Sequence, residues 1–156
     1  MRDSATWSRQ LEPDYARTLN NLVAGLTDRA NAHRLGVSER TVQRRIRELM
    51  DWSGSGNRMQ LGRHAALAGL AGVADPADAA DLTETHLFGD QAPRSGRYPD
   101  AAARQLLRLL LADAAADRLL GLSPRSVERR VHELMTLAGA RSRAQLGWRA
   151  TWRGWI

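Results

Sequence analysis

The chain has 156 residues, a formal net charge of +6 and no cysteine, a length that suits one ordinary domain or two small ones. The missing thiols exclude a disulfide framework, a cysteine nucleophile and a cysteine-based zinc finger. No apolar run approaches the ~20 residues that cross a bilayer, and MRDSATWSRQ lacks the apolar core of a signal peptide, so the expectation is a cytoplasmic protein with no membrane partner.

Residues 1 to 10, polar apart from Trp7, read as an arm. A first helix starts at Leu11-Glu12-Pro13-Asp14, where an early proline and acids suit the positive end of the helix dipole. It carries Leu19, Leu22 and Val23 at helical spacing and ends at Gly25. Thr27 suits the cap of a second helix from about Asp28 to Leu35, with Ala30 and Leu35 inward. Gly36 then allows a left-handed turn, Ser38 caps a third helix, and Val42, Ile46 and Leu49 give it one apolar stripe at i, i+4 and i+7. Arg40, Gln43, Arg44 and Arg47 remain on its free face. DWSGSGN is turn chemistry, and a fourth helix rich in small residues extends toward Val73, weakened by Gly62 and Gly69.

Residues 74 to 97 form an acidic, proline-containing linker. Within it Pro76 to Phe88 either forms a short helix, with Leu82, Leu87 and Phe88 able to dock, or stays disordered. Charge follows this division: residues 1 to 73 carry 11 Arg and 7 acids, residues 74 to 100 carry 2 and 6, and residues 101 to 156 carry 10 and 4. Two basic pieces on an acidic connector suit two polyanion-binding modules. All 23 basic residues are arginine, which most simply reflects a GC-rich coding sequence.

The second basic piece repeats the first. LGVSERTVQRRIRELM at residues 35 to 50 returns 85 positions later as LGLSPRSVERRVHELM at residues 120 to 135, with ten of sixteen positions identical and no gap. Gly121, Ser123 and Pro124 supply the turn, cap and first helical position. Val127, Val131 and Leu134 form the stripe, and Arg125, Glu128, Arg129 and His132 stay outside. The repeat continues beyond this unit, since Gly139, Arg143, Gln145, Leu146, Gly147 and Ala150 stand in register with Gly54, Arg58, Gln60, Leu61, Gly62 and Ala65. The first half of repeat two, ARQLLRLLLADAAADRLLGL, lacks equivalents of Gly25 and Thr27. Asp113 is its one obvious replacement cap, so a tighter or displaced junction is expected there. The modules are therefore placed at residues 11 to 73 and 98 to 156. Trp148, Trp152 and Trp155, at i, i+4 and i+7, predict an aromatic ridge on the last helix. It packs on the fourth helix of repeat one or serves as an interface to another molecule.

LVAGLTD followed by LGVSERTVQRRIREL, and its second copy, resemble the LuxR-type (NarL/LuxR) helix-turn-helix domain of bacterial transcription regulators. The resemblance covers roughly residues 11 to 70 and 98 to 153. It implies an all-α protein of two tandem four-helix modules, with the third helix of each in a DNA major groove and the fourth making the dimer contact. It places Thr27 at the cap of the scaffold helix and Ser38, Thr41, Gln43, Arg44 and Arg47 at or near DNA. The register of the repeat carries the same expectation to Ser123, Ser126, Glu128, Arg129 and His132, with Arg40 and Arg125 shared between the copies. Arg45 and Arg130 match a position commonly basic or His in the family and are expected among the DNA-binding residues, and Arg58 and Arg143 are candidate phosphate contacts. Where the family usually has Lys or Arg after the Thr-Val pair, this chain has Gln43 and Glu128. Glutamine can pair with adenine, whereas glutamate repels phosphate and can accept from cytosine N4.

The expectation is a sequence-specific transcriptional regulator that sets two recognition helices of one chain on an imperfect palindrome. Its partners would be double-stranded DNA and, as a further candidate, RNA polymerase. It would act as a pseudo-dimer within one chain or a homodimer through the C-terminal helix. The alternative is the same scaffold recruited as a protein or peptide adaptor, or as a biosynthetic enzyme, with DNA binding lost. No catalytic residue, cofactor or metal is expected: His33, His64, His86 and His132 have no metal-ligand spacing, and no phosphate loop or paired-carboxylate motif is present.

Overall fold

The computed structural model describes residues 11–70 and 98–156, which form eight helices and no strand. The N-terminal arm, the linker with its candidate helix and docking residues, and residues 71 to 73 lie outside the described residues. Among the described residues no helix is long and apolar enough to cross a membrane.

In repeat one, α1 (Pro13–Val23) has Pro13 in its first turn and buries Thr18, Leu19, Leu22 and Val23. Helix α2 (Asp28–Leu35) is capped by Thr27, whose Oγ1 accepts the Ala30 amide at 3.2 Å. The expected inward residue Ala30 is exposed, while Asn31 and Ala32 are buried and Leu35 is half-buried. Asn31 can occupy the core because its hydrogen bonds are made: its Nδ2 donates to the Thr18 carbonyl at 3.0 Å, and its Oδ1 accepts from Asn21 at 2.9 Å. A satisfied amide escapes most of the penalty of burying a polar group. A buried Asn31 rotates Ala30, one position earlier, out of the interface.

Gly36 takes φ +67°, and Ser38 then caps α3 (Glu39–Ser53) by accepting the Thr41 amide at 3.1 Å. Val42, Ile46 and Leu49 are buried as their spacing requires. Each such side chain contributes ~1.5 to 3 kcal/mol through removal from water. Helix α4 (Arg58–Leu67) begins at Asn57, whose side chain accepts from the Gln60 amide, and stops well before Val73.

Repeat two contains α5 (Ala101–Leu111), α6 (Ala116–Leu120), α7 (Pro124–Ala138) and α8 (Arg143–Trp152). Its junction is displaced, but Asp113 is not the cap. Asp113 has φ +52°, and α6 starts only after Ala115, which makes no side-chain cap bond. Without a Thr27 equivalent the scaffold helix shrinks from 8 residues to 5.

The two repeats share their cores. Ala144 and Trp148 of α8 are buried with Leu19, Leu22, Val42, Ile46 and Leu49, while Met59 of α4 is buried with Leu106, Leu107, Val131 and Leu134. Helices α4 and α8 cross where Gly62 meets the backbone of Ala144 and Trp148, and where Gly147 meets the backbone of Met59. Gly62 corresponds to Gly147 and Met59 to Ala144 at the 85-residue offset. The contact is therefore isologous, as in a two-fold dimer, although both halves belong to one chain.

Flanking bonds follow the same exchange. Gln60 and Asn57 donate to the Leu111 and Leu110 carbonyls at 2.7 and 3.2 Å, closing α4 onto the end of α5. Arg141 donates to the Ala24 carbonyl at 3.0 Å, closing the turn before α8 onto the end of α1.

The three tryptophans do not make one ridge. Helix α8 ends at Trp152, and Gly154 (φ +65°) reverses the chain. Trp155 consequently enters the core of repeat two, edge-on to Tyr98 at 6.4 Å. Of the three, Trp148 alone packs in the core of repeat one, and its Nε1 donates to the Leu70 carbonyl at 2.9 Å. Trp152 stacks on Trp148 at 5.4 Å and remains 41% exposed.

Candidate functional site

The outward faces of α3 and α7 are built the same way. Each opens on a serine whose hydroxyl caps the helix and also bonds the hydroxyl three residues on: Ser38 with Thr41 at 2.8 Å, and Ser123 with Ser126 at 2.9 Å. The caps fix the chain entering each helix and hence the rotation of its free face. Burial of Val42, Ile46 and Leu49 on one side leaves Arg40, Gln43, Arg44 and Arg47 exposed. Burial of Val131 and Leu134 leaves Arg125, Glu128, Arg129 and His132 exposed.

Pairing within each of these two helix faces is slight. Gln43 reaches Glu39 at 3.4 Å, and Arg129 lies 3.7 Å from Glu133 with both side chains mostly in solvent. Such pairs contribute little, so these side chains can turn toward a ligand.

The structure sorts the other candidate residues differently. Arg45 is not on the free face. Its side chain is 11% exposed and bonds Asp14 at 2.6 Å, with its guanidinium 5.9 Å from the Tyr15 ring. Tyr15 in turn donates to Glu48 at 2.5 Å and packs on Trp52 at 4.7 Å. The Glu48 bond, reinforced by burial, raises the Tyr15 pKa above its ordinary value. This cluster ties α3 to α1, so Arg45 holds the helix in place. Arg130, at the same position of α7, is likewise half-buried.

Thr27 is occupied in capping α2. Arg58 makes two bonds, 2.6 and 2.7 Å, to the carboxylate of Asp28 at the start of α2, which raise its pKa further. Arg143, its repeat equivalent, instead donates to Glu128 on the outward face of α7 at 2.5 Å.

Several positioning groups escape a sequence reading. Arg149 is 4% exposed and donates to the Ala138 carbonyl at 2.9 Å and to that of Gly139, fixing the end of α7. Its equivalent at the 85-residue offset is His64, which shares a 2.9 Å hydrogen bond with Ser55 after α3. Both residues set the turn between a third and a fourth helix. Only that offset, compared position by position, links two such different side chains. Among the described residues no group of three His, Asp or Glu side chains is placed to hold a metal ion.

Neither a family model, nor a curated protein, nor a solved structure matches the chain.

Proposed function

We propose that the chain is a sequence-specific DNA-binding transcriptional regulator made of two LuxR-like helix-turn-helix modules, with α3 and α7 as recognition helices. The observation that carries this reading is the pair of capped, outward, arginine-bearing faces related by an isologous α4–α8 crossing. A major groove admits one α-helix, and arginine reads guanine through O6 and N7. Arg44 and Arg129 are assigned that base contact, and Arg40, Arg47 and Arg125 contact the flanking backbone. Capping serines and backbone amides at the start of each helix suit phosphate.

One polypeptide then supplies what a homodimer ordinarily supplies. Two recognition helices related by a pseudo-two-fold axis meet successive major grooves ~34 Å apart. Because Gln43 corresponds to Glu128 and Arg47 to His132 in the repeat, the half-sites differ and the operator is an imperfect palindrome.

The reading is tested by titrating the protein against duplex DNA of random sequence at two salt concentrations, then selecting the preferred site. Binding that weakens steeply with salt is expected, followed by a selected site with two unequal halves. Absence of binding at low salt would instead favour an adaptor or enzyme on the same scaffold, and a site with two identical halves would remove the asymmetric reading.

A further inference from the structure

The equivalent arginines Arg58 and Arg143 choose different acids, and the reason lies in the displaced junction of repeat two. Asp28 sits at the first position of α2, its side chain 14% exposed, and holds Arg58 by two bonds. The residue corresponding to Asp28 is Asp113. It lies in the left-handed turn before α6 and accepts from Asn57 of repeat one at 3.3 Å. Arg143 therefore lacks the acid that its counterpart uses. It turns to Glu128, which stands where repeat one has the uncharged Gln43.

The consequence is electrostatic. The free face of α3 presents Arg40, Arg44 and Arg47 with Gln43, three positive charges and no acid among these four residues. The free face of α7 presents Arg125 and Arg129 against Glu128, beside His132, so its arginines exceed its acids by one. Glu128 also engages Arg143 at the start of α8.

We propose that Glu128 is an affinity-setting residue: it withholds Arg143 from DNA phosphate and puts a negative charge on the α7 face where α3 has Gln43, making α3 the principal anchor and α7 the weaker reader. This rests on reading the two arginine faces as the DNA surface. Both side chains of the pair are well exposed, 48% for Arg143 and 68% for Glu128, so the clasp opens at small cost. It sets how strongly the second half-site must pull rather than locking α7 away from DNA.

Four chains test it on one duplex of random sequence across a salt series: the unaltered protein, E128Q, R143Q and the double variant E128Q/R143Q. E128Q is expected to bind about threefold to tenfold tighter at low salt, with a log–log salt slope steeper by about one from a new phosphate contact. The double variant is expected to return to the slope of the unaltered protein. An E128Q slope equal to that of the unaltered protein, or a double variant that keeps the steeper slope, overturns the clasp while leaving DNA binding intact. Failure of all four chains to bind at low salt removes the DNA reading itself, and the clasp with it.

Discussion

Gly62 of α4 and Gly147 of α8 stand at equivalent places in the two repeats, and each lies against the backbone of the other's helix. A Cβ on Gly62 would overlap the Ala144 carbonyl, and one on Gly147 the Met59 carbonyl. Neither obstacle is a flexible side-chain end, so the helices would have to part. Helix propensity alone favours alanine over glycine by ~1 kcal/mol, but overpacking costs ~1 to 3 kcal/mol or more. Gly62→Ala and Gly147→Ala are therefore expected to lower stability in denaturant titrations. A rise in the midpoint of either variant would show that the crossing tolerates a methyl group.

The adjacent residues Arg44 and Arg45 are expected to fail in opposite ways. Arg44 is exposed on the candidate DNA face, whereas Arg45 is held by Asp14 and Tyr15. Arg44→Ala should reduce DNA affinity by ~1 to 3 kcal/mol, the range of a bidentate base contact, with little change in melting temperature. Arg45→Ala should lower the melting temperature, since it leaves Asp14 without its cation and loosens α3 on α1. Filter-binding and thermal melts on the two variants read both effects. Equal loss of affinity in both would contradict the division.

Two tryptophans of the same terminal segment differ similarly. Trp155 is 2% exposed, and its truncation to alanine is expected to destabilise by ~3 to 5 kcal/mol, as for other large buried aromatics. Trp152, 41% exposed, is expected to cost far less. Denaturant midpoints of the two single variants check this, and a comparable loss at Trp152 would point to the continuous ridge that the spacing alone suggests.

Burial and the nearby Arg63 cation lower the His64 pKa in the folded chain. The unfolded chain, with a histidine pKa near 6.5, then takes up a proton that the folded chain refuses. The stability from this residue is fully present above that value and is lost as pH falls toward the folded pKa. Unfolding free energies measured between about pH 8 and pH 5 should decline on the acidic side, and His64→Gln should flatten that decline. An unchanged pH profile in the variant would assign the acid sensitivity to other groups.

Local chemistry made much of this architecture legible from residues alone. Thr27, Ser38 and Ser123 act as caps, Gly36 and Gly121 turn the chain, and Val42, Ile46 and Leu49 point inward, because caps and periodic stripes are decided within a few residues. The outward faces followed from the same periodicity. Ala30 and Arg45 misled for one common reason: a buried amide network around Asn31 and an acid on a neighbouring helix set their surroundings, and neither is visible in the local pattern.

The sequence by itself determined the helical character of the described residues and one unit used twice, since capping, turns and apolar spacing are short-range and the repeat is explicit at an offset of 85 residues. Tertiary structure alone decided how the copies join and how they differ. Gly62, read in isolation as a weak point, is the place where α4 meets α8, and Trp148 belongs to the core of the opposite repeat. Asp113, an apparent cap, faces Asn57 across the interface and leaves Arg143 to Glu128. These outcomes depend on backbones approaching across more than fifty residues of sequence, which no local propensity encodes.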